Sequence, residues 1–120
     1  FGFKTRYKLY ENKQTIIDKA AQGAVFTFSV VSGHIACIAE VLPEENLCMV
    51  IDSAPSATFE RKGMTPVYYR LADGHFAEAI TPADIPGTEY CLETNSYGCA
   101  VYYMTLDYAA KRGVRLIQPQ

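Results

Sequence analysis

The chain alternates between hydrophobic and polar residues over several short stretches, which is the pattern of half-buried β-strands. Phe3–Tyr10 alternates Phe, Thr, Tyr and Leu with Lys, Arg and Lys. Apolar runs follow, separated by short segments with Gly, Pro or Asn. We therefore predict strands at Phe3–Tyr10, Ala24–Ser32, His34–Leu42 and Leu47–Ile51. The short connections between the last three favour antiparallel pairing.

Two stretches have the character of helices. Glu11–Gln22 carries an apolar stripe at helical spacing and is followed by Gly23, a typical helix stop. The run from Ala100 to Arg112 is apolar almost all round and is followed by Gly113, which predicts a buried helix. We also predict a hairpin over Val67–Ile80, because Asp-Gly lies at its centre, and a last strand after Gly113.

The 120 residues suffice for one domain with one core, so we treat 1–120 as a single unit. The net charge of −2 argues against a protein built mainly to bind nucleic acid. No apolar run approaches the roughly 20 residues of a membrane-spanning helix. The chain begins at Phe1 instead of Met, which is compatible with a fragment of a longer protein.

The four cysteines form neither a C-x-x-C pair nor a zinc-like spacing with the two histidines, so we predict no metal site. Cys37 and Cys48 lie in apolar strand-like runs, where a free cysteine packs as a small hydrophobic residue. Two disulfides are arithmetically possible. We favour reduced thiols and a reducing compartment, because a chain of this length can build a core without covalent links.

Cys99 differs from the other cysteines because it directly precedes the predicted buried helix. Asn95 and Ser96 are good N-cap residues shortly before it. A thiol in the first helical turn meets the positive end of the helix dipole and free N–H groups, which favour the thiolate. We therefore hypothesise that Cys99 is a nucleophile.

A cysteine nucleophile needs a base within hydrogen-bond reach, usually a histidine held by a carboxylate. His34 begins a predicted strand, and Asp52 closes the next one, where it can accept a hydrogen bond from the imidazole. His75 is the rival base, with Asp84 near it in sequence. Taken singly, each histidine also fits a half-buried strand residue, and Asp52 fits a turn residue.

The order His34, Asp52, Cys99 resembles that of the ubiquitin-like-protein proteases and the YopJ-type effector acetyltransferases. The likeness lies in three segments, Val25–His34, Val50–Ser53 and Glu93–Tyr102. It implies an α+β, papain-like fold. In that fold a central, mostly antiparallel sheet packs on a buried helix that starts at the catalytic cysteine.

The resemblance also implies roles around the nucleophile. Glu93 aligns with the glutamine that donates to the oxyanion in these proteases. The side chain of Asn95 and the backbone N–H of Cys99 can also donate there. A carboxylate at position 93 must be protonated to avoid repelling the oxyanion.

Three functions follow from the resemblance. The first is a cysteine peptidase or isopeptidase that acts on ubiquitin or a ubiquitin-like protein without a cofactor. The second is an acetyltransferase that uses acetyl-CoA through an acetyl-cysteine, with an inositol phosphate as activator. Lys111, Arg112 and Arg115 are candidates to bind it, but a charged helix end that complements the helix dipole explains them better. The third is an inactive binding module with the same fold. The first two imply a cytoplasmic protein or an effector secreted into a host cytosol.

Overall fold

The computed structural model describes residues 6–29, 35–54, 66–80, 84–85 and 98–118. Eight strands and two short helices occupy these ranges. In chain order they are β1 (Arg6–Tyr10), α1 (Lys13–Ala21), β2 (Phe26–Ser29), β3 (Ile35–Leu42), β4 (Leu47–Ala54), β5 (Val67–Arg70), β6 (Phe76–Ala79), β7 (Gly98–Thr105), α2 (Leu106–Arg112) and β8 (Val114–Gln118).

All eight strands form one antiparallel sheet in the order β1-β8-β2-β3-β4-β7-β5-β6. The last strand of the chain lies between β1 and β2, and β7 pairs with β4 along its whole length. The two helices have nine and seven residues. The predicted α+β, papain-like fold is therefore wrong, because an antiparallel sheet dominates the described residues and its helices are short.

The predicted helix after Cys99 is also wrong in its first half. Cys99 lies inside strand β7, and α2 begins only at Leu106. Val101, Tyr102 and Tyr103 are β-branched or aromatic residues, which favour strands. A run that is apolar all round does not distinguish a buried helix from a central strand by its periodicity, so the pattern allowed both.

Other local predictions are confirmed in the described ranges. Helix α1 begins after Asn12, whose side chain accepts hydrogen bonds from the N–H groups of Gln14 and Thr15 at 2.9 and 3.3 Å. Gly113 ends α2 with φ 83°, a conformation that favours glycine. The strands β2, β3 and β4 are antiparallel neighbours, and Val67–Ile80 contains the β5–β6 hairpin.

The helices pack on one face of the sheet, which we call the covered face. A row of directly paired residues crosses this face through β8, β2, β3, β4 and β7: Leu116, Phe26, Ile38, Val50 and Tyr102. All five side chains are buried and form one cluster with Ile16 of α1 and Leu106 of α2. This cluster is the hydrophobic core.

The opposite face is the uncovered face, because both described helices pack on the other side. The neighbouring row of paired residues crosses it through β1, β8, β2, β3, β4 and β7: Leu9, Arg115, Thr27, Cys37, Ile51 and Val101. None of the six is buried. We call these two sets the covered row and the uncovered row.

A polar triangle fixes the two helices to the β3–β4 turn. The Lys13 ammonium lies 3.1 Å from a carboxylate oxygen of Asp107 and donates to the Asn46 side-chain oxygen at 3.2 Å. The Asn46 amide donates to the other Asp107 oxygen at 2.7 Å. The hydrogen bonds from Asn46 and then Lys13 hold the pKa of Asp107 below its usual range. The start of α1 and the start of α2 are thereby joined at one point.

Candidate functional site

Asp52 is a buried carboxylate inside the sheet, with 1 % of its surface exposed. Strand β4 continues beyond Ile51 to Ala54, so Asp52 lies within the strand and not in a terminating turn. The Tyr102 hydroxyl donates to a carboxylate oxygen of Asp52 at 3.3 Å. A buried carboxylate requires such partners, because desolvation without them costs several kcal/mol (on the order of 3–5 for a broken pair).

Sequence reasoning missed Tyr102 as the partner of Asp52, because it assigned this tyrosine to a helix. A signal was available. A tyrosine in an apolar run buries its ring and must find a partner for its hydroxyl, and the nearby strand offered a carboxylate in an otherwise apolar sequence.

Cys99 is one register step away from the Asp52 position. The pairs along β4 and β7 are Asp52↔Ala100 and Ser53↔Cys99. The two predicted site residues therefore belong to the same end of the sheet, but positions one step apart face opposite sides, so the register does not bring them together. Because Cys99 lies within a strand, the helix dipole no longer accounts for an activated thiolate there.

His34, Glu93 and Asn95 lie outside the described residues, so the predicted triad and oxyanion arrangement stay predictions. Strand β3 begins at Ile35, directly after His34 in the sequence. Since Cys37 pairs with Ile51, the beginning of β3 lies beside the end of β4. That is the end of the sheet at which Asp52 lies and at which β7 begins.

His75, the rival base, belongs to the turn of the β5–β6 hairpin. Strands β5 and β7 are antiparallel and meet at Tyr68↔Tyr103, so this turn also lies at the end of the sheet where β7 begins. The His75 side chain is 81 % exposed, and its Nδ1 lies 3.1 Å from an Asp73 carboxylate oxygen, which also accepts from the His75 backbone N–H at 3.0 Å. Asp73, not Asp84, is the carboxylate beside this histidine.

The described thiols are not activated. Cys37 and Cys48 are free cysteines, as expected for strand residues packed as small hydrophobic groups. Burial raises the pKa of Cys48 to about 12, and a backbone hydrogen bond at Met104 lowers it only in part. Burial also raises the pKa of Cys37. Both thiols are therefore protonated at neutral pH and poor nucleophiles.

An aromatic and cationic cluster lies on the uncovered face beside β7. The Arg70 guanidinium carbon is 5.3 Å from the centre of the Phe76 ring and 5.1 Å from that of Tyr103. The two rings meet edge to face at 4.9 Å, and Arg70 lies 4.0 Å from Glu40. These contacts hold an arginine in a defined position at the margin of the uncovered face.

The basic residues considered for an inositol phosphate have other contacts or are separated. Arg112 donates to the Ser29 backbone oxygen at 2.6 Å and to the Tyr108 hydroxyl at 3.2 Å, so it links α2 to β2. Lys111 is exposed on α2, and Arg115 belongs to the uncovered row. No polyanion site follows from these three residues.

A groove of about 400 Å³ lies between α1 and β3. Its lining is mostly apolar, with Ile17, Ala20, Ala24, Phe26, Ile38 and Val41 among its walls. Specific small-molecule sites combine apolar walls with a few placed polar groups. Among the described residues that line the groove, Glu40 is the only ionisable one, and its carboxylate lies 4.0 Å from Arg70.

Two further features bear on function. Among the ranges that the structure describes, no three His, Cys, Asp or Glu side chains are grouped so that they can hold a metal ion. Within the same ranges, neither helix has the length and apolar character needed to cross a bilayer.

Comparisons with known proteins give no relative. No family model, curated protein or solved structure matches the chain. The likeness to the ubiquitin-like-protein proteases thus rests on the sequence motifs alone, and the fold that it implied is not the fold of this protein.

Proposed function

We propose that the protein is a binding module that contacts another protein chain through its uncovered face. One observation carries this proposal. Seven large hydrophobic side chains are exposed in the described ranges, and the strand register places four of them on this face: Leu9, Ile35, Ile51 and Val101. Contiguous exposed apolar surface in a folded protein marks a contact site more often than chance.

The distribution of residue types on this face supports the same function. Ile35 and Val101 are 65 % and 41 % exposed, and Cys37 and Ile51 lie between them on paired strands. Three of the four charged strand residues described on this face lie toward its sides: Arg115 on β8, Arg70 on β5 and Glu78 on β6. Glu40, at the bulge in β3, lies 4.0 Å from Arg70. An apolar centre with a charged margin is the usual anatomy of a protein interface.

Photo-crosslinking in the producing cells tests this function. A benzophenone amino acid replaces Val101 or Ile35, and matched controls carry it at Ala21 of α1 or at Leu71 in the β5–β6 turn, which are exposed apolar positions outside the face. We expect defined covalent adducts from the two face positions and none from the controls. Absence of adducts at both face positions, or equal adducts at all four, would contradict the proposal.

A second candidate is a thiol enzyme, in which Cys99 attacks a carbonyl carbon to form a thioester. His34 takes the thiol proton and returns it to the leaving group, and Asp52 orients His34. The candidate is supported by the fact that Cys99, Asp52 and the start of β3 directly after His34 belong to the same end of the sheet. Cys99 and Asp52 occupy positions on opposite faces of the sheet, so the register does not place them side by side. His75 is the alternative base. The same residues serve a peptidase acting on a ubiquitin-like tail or an acetyltransferase that uses acetyl-CoA.

Covalent labelling separates these enzymes. A ubiquitin probe with a C-terminal propargyl group that modifies Cys99 supports the peptidase, and acetylation from radiolabelled acetyl-CoA supports the acetyltransferase. Cys99→Ala is the negative control, while His34→Ala and His75→Ala identify the base. If neither reagent labels Cys99, and iodoacetamide reacts with it no faster than with free cysteine, the enzyme candidate is lost.

Glu93 gives a further test of any activity found. If Glu93 occupies the oxyanion position, Glu93→Gln raises turnover, because an amide donates where a carboxylate repels. A loss of turnover in this variant would exclude that position for Glu93.

A further inference from the structure

We propose that the occupant of the uncovered face is a second copy of this chain, in a two-fold symmetric dimer with the two sheets packed face to face. This inference rests on the proposed function, since it names the partner of that face. It follows from the distribution, size and charge of the surface.

Exposed apolar residues lie on both sides of the boundary between β3 and β4. Ile35 lies on β3, and Ile51 and Val101 lie on β4 and β7. A two-fold interface requires a surface that complements itself, because each patch meets its own copy. A two-fold axis parallel to the strands over the β3–β4 boundary brings β3 of one copy, which carries Ile35, against β4 of the other, which carries Ile51.

The size of the face matches what a stable dimer needs. Eight strands spaced by about 4.8 Å give a width of about 38 Å, and a five-residue strand is about 17 Å long. The longest dimension of the molecule is 39 Å. The flat area of the face is thus about 650 Å², close to the roughly 800 Å² that each partner contributes to a standard interface. Sheets in such pairs pack about 10 Å apart, which closes the face to water.

The charges of the face do not oppose a pair of copies. The charged strand residues described there are two arginines and two glutamates: Arg70, Arg115, Glu40 and Glu78. They sum to zero, whereas the whole chain has a net charge of −2. A face that is electrically neutral and apolar at its centre suits a partner of the same composition.

Sedimentation equilibrium of the purified full chain tests the dimer. We expect a wild-type dimer with a dissociation constant below about 10 µM, as for interfaces of this size. Ile51→Arg and, independently, Val101→Lys bury a charge in the interface and are expected to weaken it at least about 100-fold. The matched control Leu71→Arg changes an apolar side chain that is 39 % exposed in the β5–β6 turn, outside the face, and it should leave the dimer intact. Circular dichroism confirms that each variant is folded.

A second measurement needs no variant. Cys37 lies in the middle of the uncovered row, so its alkylation should slow as the wild-type concentration rises through the dissociation constant. A wild-type chain that is monomeric at about 100 µM overturns the dimer. A dimer that both face variants retain, with Cys37 labelling independent of concentration, overturns it as well. If the chain is monomeric but Val101 still crosslinks to a different protein in cells, the dimer fails and the binding function stands.

Discussion

The covered row and the uncovered row cross the same strands at adjacent positions, yet their environments are opposite. Phe26, Val50 and Tyr102 of the covered row are nearly inaccessible to water. At the neighbouring positions of the same strands, Thr27, Ile51 and Val101 are partly accessible. Both rows contain β-branched residues, so composition does not explain the difference. The two helices explain the difference in burial, because they pack on one side of the sheet only.

This contrast separates what holds the fold from what is free for function. A buried apolar side chain contributes about 1.5–3 kcal/mol relative to an exposed one, so the covered row stabilises the sheet strongly. The exposed residues of the uncovered row contribute little until something covers them. An antiparallel sheet tolerates a solvated face, but that face is normally polar. Here Ile51 and Val101 make it apolar, which is why we assign function to it.

The largest expected loss of stability comes from a substitution in the covered row. Phe26 is fully buried, and Phe26→Ala should lower the free energy of unfolding by about 3–5 kcal/mol, because it removes a packed ring and leaves a cavity. Val101→Ala on the uncovered row should cost less than about 1 kcal/mol in dilute solution. Urea unfolding measures both. Equal losses would mean that the uncovered row is buried within the folded chain.

A smaller effect compares two neighbouring tyrosines of β7. Tyr102→Phe removes the hydroxyl that donates to buried Asp52 and should cost about 1–3 kcal/mol. Tyr103→Phe keeps the ring that packs on Phe76 and should cost less than about 1 kcal/mol. Thermal and urea unfolding of the two variants test this pair. A neutral Tyr102→Phe would show that the Asp52 contact adds nothing to stability.

The smallest expected loss of stability comes from the ionisation of the buried Cys48 thiol at high pH. Folding holds the Cys48 pKa at about 12, whereas an unfolded cysteine ionises near pH 8.5–9. The contribution of protonated Cys48 to the free energy of unfolding is therefore fully present below about pH 9. It is lost as the pH rises from about 9 to about 12. At pH 10 the loss is about 1–2 kcal/mol. Urea unfolding against pH measures it, and Cys48→Ala should have a correspondingly shallower decline.

Alkylation checks the same contrast without unfolding the protein. In the dilute native chain at pH 8, Cys37 should react while Cys48 does not, because only Cys37 is accessible on the uncovered row. Peptide mass spectrometry distinguishes these two sites from Cys91 and Cys99. Rapid modification of Cys48 would show that the covered face opens locally.

Local chemistry explains which elements the sequence predicted well. Asn12 and Gly113 delimit helices through their own capping geometry, and Asp73-Gly74 specifies a tight turn. The helix predicted after Cys99 was wrong because the apolar residues there suit a central strand as well as a buried helix. Its strand form depends on pairing with β4, which is distant in sequence.

The candidate site was predictable only in part for the same reason. Asp52 was identifiable as a carboxylate within an apolar run, but its donor Tyr102 lies on a strand that the pattern had not revealed. The pairing of Ser53 with Cys99 is likewise a long-range register. The sequence indicated that Tyr102 and Asp52 each need a polar partner, but it did not indicate which residues pair across the sheet, because neither residue alters the conformational preference of the other's neighbours.

The sequence by itself determined the strands β1 to β6 and β8, the two helix ends and the local turns, because backbone preference and side-chain alternation act over a few residues. Tertiary structure decided that β7 is a strand, that β8 lies between β1 and β2, and which face of the sheet the helices cover. These features depend on how apolar surfaces fit together across the whole chain. The uncovered face and its proposed partner follow from that last choice, since alternation alone does not tell which of two apolar faces meets water.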